Sequence, residues 1–106
     1  MICIVCKSEF LSSQIKKICE THLNEIINET SFPELLKTLS EKKVRLVFFD
    51  SEFFIDSAKY RKVSPETRFI VIARAGFEEK AAEAIRCGAS DFILCPFFES
   101  GVLNCL

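Results

Sequence analysis

The chain has 106 residues, 49% of them hydrophobic and 27% charged, with a net charge of −1. That is the length and composition of one soluble globular domain. The cations are scattered without the basic stripe that nucleic-acid binding needs, and no window holds the ~18 apolar residues of a membrane span.

Met1-Ile-Cys-Ile-Val-Cys6 is apolar from its first residue, with neither the basic start nor the cleavage site of a signal peptide. It reads as a first strand over Ile2–Cys6, and a cytoplasmic location is expected. Ser8–Leu11 reads as a connection. Ser12-Ser13 can cap a first helix whose apolar positions are Ile15, Ile18, Cys19 and Leu23. Glu25-Ile-Ile27, within 24–30, marks a weak second strand. Ser31-Phe-Pro-Glu34 has capping-box spacing and opens a second helix that buries Leu35, Leu36 and Leu39 and ends near Lys43. Lys16-Lys17 and Glu41-Lys42-Lys43 read as solvated helix positions.

Val44-Arg-Leu-Val-Phe-Phe-Asp50 is an apolar strand ending on a carboxylate. Phe53–Tyr60 reads as a short helix and Ser64-Pro65 as a loop. Arg68–Ala73 is another continuous apolar strand. Phe77–Cys87 is a helix with Phe77, Ala81, Ala84 and Ile85 on one face, and Gly88 stands where a left-handed cap is wanted. Phe92–Cys95 reads as a buried strand stopped by Pro96, and a last helix starts around Glu99. Strand and helix alternate five times. Unbroken apolar strands are buried on both faces, so a parallel sheet between two helical layers is expected. The short last helix is expected to belong to a domain cut from a longer protein, or to be naturally stunted.

The six cysteines sit in apolar, periodic segments, so they read as small core hydrophobes and not as a disulfide framework. Cys3 and Cys6 form a C-x-x-C, but residues three apart on a strand point to opposite faces. His22 is the lone histidine, without partners of ligand type nearby in sequence, and reads as a surface residue. No glycine-rich phosphate loop, nucleophile elbow or paired catalytic carboxylates is present, and no enzyme activity is expected.

In an open parallel sheet, ligands gather at the carboxyl ends of the strands. Here those ends deliver Cys6, Lys7, Ser8 and Glu9; Asp50, Ser51 and Glu52; Ala73 and Arg74; and Cys95 and Pro96. Leu46-Val-Phe-Phe-Asp50, Phe69-Ile-Val-Ile-Ala-Arg-Ala-Gly76 and Gly88-Ala-Ser-Asp-Phe-Ile-Leu-Cys-Pro-Phe97 together resemble the receiver domain of bacterial two-component response regulators. The resemblance covers the whole chain in topology and is motif-specific in the last third. It implies a flavodoxin-like (βα)5 fold, three layers doubly wound about a five-stranded parallel sheet in the order 2-1-3-4-5.

By the same resemblance, Asp50 is the phosphoacceptor equivalent. The family pattern asks for two acidic residues after the first strand to hold Mg²⁺, a hydroxyl residue ending the fourth strand and a lysine before the proline of the fifth. Cys6 and Lys7, Ala73 and Cys95 stand there instead, and only Pro96 is kept beside Asp50. Ser51-Glu-Phe-Phe54 replaces the usual Met-Pro. The resemblance therefore implies a degenerate receiver: a regulatory, protein-interaction domain with no cofactor, no metal and no standard aspartyl phosphorylation. Lys7 is in reach of Asp50 and substitutes for the missing cation; the plainer alternative is that Asp50 is a solvated strand-end residue. Two rival readings are a phosphorylatable receiver that recruits Glu9 or Glu52 for metal, and a thiol-based redox sensor acting through Cys95 beside Lys7 or Arg74. The resemblance also implies the family's dimer face, which would include Lys80, Arg86, Asp91 and Phe98. Partners implied are an output domain following in a longer regulator, and DNA only through that domain.

Overall fold

The structure, a computed structural model, describes residues 1–50, 60, 62–74, 76, 78–95 and 99–106, the side chains of Arg74 and Ala81 excepted. β1 (Ile2–Val5), α1 (Glu9–His22), β2 (Ile27–Glu29), α2 (Phe32–Glu41), β3 (Leu46–Asp50), β4 (Arg68–Arg74), α3 (Glu78–Arg86), β5 (Asp91–Cys95) and α4 (Glu99–Leu103) follow in chain order. The five strands are all parallel, in the order β2-β1-β3-β4-β5. This is the order expected above. The helix expected over Phe53–Tyr60 lies outside the described residues except for Tyr60, as do Ser51, Glu52, Phe77, Pro96 and Phe98.

Strand periodicity splits the core into two layers. Cys3, Val5, Val47, Phe49, Phe69 and Val71 face one way and pack with Leu35 and Leu39 of α2 and Ala84 of α3. Ile2, Ile4, Leu46, Phe48, Ile70 and Ile72 face the other way and pack with Ile15 and Cys19 of α1 and Val102 beside them. β1, β3 and β4 lie inside the sheet and are covered on both faces, which is why their apolar runs do not alternate. Gly88 ends α3 at φ 114°, the left-handed cap its position called for.

Local chemistry departs from the sequence reading in several places. α1 begins at Glu9, earlier than Ser12, because Ser8 is the better cap: its hydroxyl accepts from the Leu11 N–H at 3.3 Å, and Glu9 follows in the first turn. The capping box at α2 does not form. Ser31 is the cap residue, but its side chain makes no cap bond. Pro33 offers no N–H, and the Glu34 N–H goes to the Ser31 carbonyl at 3.2 Å. β5 is not a buried strand: it lies at the sheet edge, with Ile93 buried and Phe92 exposed. Ile85 is exposed too, because the layer under α3 is filled by Ala84.

All six cysteines are free. Cys3, Cys19 and Cys105 are buried as core hydrophobes, whereas Cys6, Cys87 and Cys95 are half-buried. Cys3 and Cys6 pack on opposite layers, so the C-x-x-C pairs nothing.

Candidate functional site

Each strand of a parallel sheet points its last carbonyls and side chains to the same edge, so the loops there share one surface. β1 hands over to Cys6, half-buried, and then to Lys7, which is exposed. β3 ends on Asp50 itself. Its neighbour in the ladder is Ile72, one residue before Ala73, and Arg74 of β4 is level with Cys95 of β5. Asp50, Ala73, Cys6 and Cys95 therefore share one rim, and Lys7 follows Cys6 in the chain. Pro96 and the Arg74 side chain lie outside the described residues.

Asp50 is only 8% exposed, so it is not the solvated strand-end residue of the plainer reading. Ala73 is fully covered and has no hydroxyl to offer. Burial first, then the charges of Asp50, Cys95 and Glu29, push the Cys6 thiol up to about 12. Cys6 is thus an uncharged thiol at neutral pH, close enough to Asp50 to feel its charge. Cys95 is half-buried against the same layer as Cys6. The strands that lead to them, β1 and β5, stand three places apart in the sheet, and both thiols are free.

His22 was expected to lack partners, yet its Nε2 lies 2.5 Å from Glu99 Oε1, linking the end of α1 to the start of α4. Sequence reasoning missed it because 77 positions separate the two residues. Of the expected dimer face, Lys80, Arg86 and Asp91 are exposed, Asp91 accepting the Phe92 N–H at 2.8 Å, and Phe98 lies outside the described residues. No helix among the described residues is long and apolar enough to cross a membrane.

A curated relative, the chemotaxis protein CheY of Thermotoga maritima, is 31% identical over 111 residues, which is 99% of this chain and 92% of that protein. The chain belongs to the receiver family of response regulators. No family model matches it. Among solved structures, the receiver domain of NtrX from Brucella abortus superposes with a TM-score of 0.86 at 24% identity, over 99% of this chain and 93% of that one. Full-length FixJ from B. japonicum matches with a TM-score of 0.80 at 17% identity, over 98% of this chain and 54% of that longer one. Such a receiver is a module of two-component signal transduction.

The family implies Mg²⁺ at the acceptor aspartate. A hard divalent cation takes carboxylate, carbonyl and water oxygens. At the strand ends around Asp50, this receiver presents a protonated thiol at Cys6 and a methyl group at Ala73, and Lys7 follows Cys6 in the chain. These donors do not fit the ion.

Proposed function

We propose that this receiver signals by contact, as a pseudo-receiver, without Mg²⁺-dependent phosphorylation of Asp50. The observation that carries the reading is the state of Cys6. Where the family pattern has a carboxylate, a thiol stands that stays neutral well above physiological pH, so Asp50 has no anionic neighbour there with which to share a metal. Phosphoryl transfer from a small donor depends on cations that offset the charge building on the transferred group. Ala73 adds no hydroxyl to hold a phosphoryl oxygen, and Cys95 adds no cation.

In this reading Lys7 supplies the positive charge at the rim. The surface of α3 and β5, with Lys80, Arg86 and Asp91 beside the exposed Ile85 and Phe92, is the contact face for a second copy or an output domain. DNA is reached only through a domain outside this chain, and the setting is cytoplasmic. A phosphorylatable receiver using Glu9 has one observation in its favour, because Glu9 and Cys6 line the same cleft. Incubation with Mg²⁺ and acetyl phosphate, followed by intact-mass measurement, decides between the two. The pseudo-receiver stays unmodified, whereas stoichiometric, Mg²⁺-dependent loading of Asp50 establishes the other reading.

A further inference from the structure

Beside the acceptor rim, on the far side of β1 from β3, an open cleft of about 330 Å³ lies between the starts of α1 and α2. Its walls carry three carboxylates, Glu9 and Glu34 in the first turns of the two helices and Glu29 at the end of β2. Lys16 Nζ approaches Glu29 at 3.6 Å and offsets part of that charge. Glu34 accepts only a long bond, 3.4 Å, from the Thr30 hydroxyl. Ser31, whose hydroxyl is not used as a helix cap, lines the cleft as well.

The observation that makes this more than an acidic cluster is Ser12. It lines the cleft while being only 5% exposed, and its hydroxyl bonds to none of the described residues. Among those residues no fully enclosed side-chain oxygen lacks a partner. The Ser12 hydroxyl, which lacks one, therefore keeps an edge that a solvent-sized group can reach, and the cleft is where that edge opens.

We infer that this cleft, with Glu9, Glu34 and the Ser12 hydroxyl around it, binds a primary ammonium group. Among the described residues no three His, Cys, Asp or Glu side chains converge closely enough to hold a metal ion. The carboxylates stand apart around a space of small-ligand size. An alkylammonium has three donors on a compact head and a stem that tolerates apolar wall such as Ile4 and the neutral Cys6 thiol. The same head group reaches the cleft either as a free diamine or as a lysine side chain of a protein partner.

The test is a two-dimensional amide NMR titration of the whole chain with putrescine and, separately, with Nα-acetyl-lysine amide, against sodium chloride at matched ionic strength. The expected result is a saturable shift confined to residues 6–12 and 29–34. Glu34→Gln weakens binding about tenfold, the loss of one charge-assisted hydrogen bond. Ser12→Ala weakens it less, and Glu78→Gln, remote from the cleft, leaves it unchanged. Saturation by the diamine alone identifies a free amine, and saturation by the lysine amide identifies a protein side chain. Should Ser12→Ala fold poorly by urea titration, Glu34→Gln and Glu9→Gln carry the test. Shifts that track ionic strength alike in all three titrations, or binding that Glu34→Gln and Glu9→Gln leave intact, overturn the assignment.

Discussion

At the amino edge of the sheet, Arg45 gives Nε and Nη2 to the two oxygens of Glu25, at 3.2 and 2.6 Å, and Nη1 to the Leu106 carbonyl at 2.9 Å. Arg68 bonds the Cys105 carbonyl at 3.1 Å, and buried Thr67 gives its hydroxyl to the Val44 carbonyl at 2.6 Å. At the carboxyl edge the described residues include the neutral thiol of Cys6, the covered Asp50 and Ala73, a second thiol at Cys95 and the exposed Lys7. The arginine holds Glu25 below the usual carboxylate range, chiefly through their hydrogen bonds. Burial, by contrast, pushes Cys6 upward. Receivers elsewhere in the family place their charged chemistry at the second edge. In this chain a polar network of described residues stands at the first edge, where it ties Cys105 and Leu106 to the starts of β3 and β4. The receiver architecture is kept here with a thiol at Cys6 and a methyl group at Ala73 along the carboxyl edge.

The largest test of that contrast is to rebuild the carboxyl edge. The variant C6D/K7D/A73T/C95K restores the family's donor set around Asp50 and is expected to acquire Mg²⁺-dependent modification by acetyl phosphate, read by intact mass. Failure of the rebuilt variant, if folded, would show that the loss extends beyond these four positions.

Next in size is a stability difference between the edges. Arg45→Ala is expected to cost about 1–2 kcal/mol, the low end for bonds to a charged group because the side chain is 41% exposed. Cys95→Ala should cost less than about 1 kcal/mol. Urea titration of both variants measures the gap, and equal losses would remove the contrast.

Alkaline pH sharpens it further. Cys6 rises from 9.0 to about 12 and Cys19 from 9.0 to about 11, in both cases chiefly through burial. Their folded values lie above the unfolded ones, so the favourable contribution is complete below about 9. As pH rises past that point, the unfolded chain releases its protons first and stability falls, until the folded thiols ionise as well. Cys6→Ala should flatten the fall in urea midpoint between pH 9 and 11, and iodoacetamide at pH 8 should label Cys6 far more slowly in the folded chain than in urea.

The smallest effect belongs to the surface. The coupling between His22 and Glu99 in a double-mutant cycle is expected below about 1 kcal/mol and should shrink with added salt, as for any exposed pair.

Strand positions are legible because β1, β3 and β4 are nearly unbroken apolar runs, and the strand-end rule picks out Cys6, Asp50, Ala73 and Cys95. What escapes does so for more than one reason. Competing caps, Ser8 against Ser12 and Ser31 against its own backbone carbonyl, differ by one hydrogen bond, which residue type alone cannot resolve. Long-range partners, such as Arg45 with Leu106 across 61 positions, leave no mark in local periodicity. The burial of β5 was misjudged for a third reason: an apolar run does not reveal that its strand has a neighbour on one side only. Ser12 was read as a cap, and nothing local distinguishes a capping serine from one whose hydroxyl is left open to a cleft.

The edge position of β5 has a kinetic consequence. In a parallel ladder, successive residues direct their N–H groups to opposite sides, so along this strand every second amide has β4 as its acceptor and the intervening ones face outward. Deuterium uptake should therefore alternate down the strand, and an incoming backbone could zip onto the outward set without disturbing a single contact of the interior.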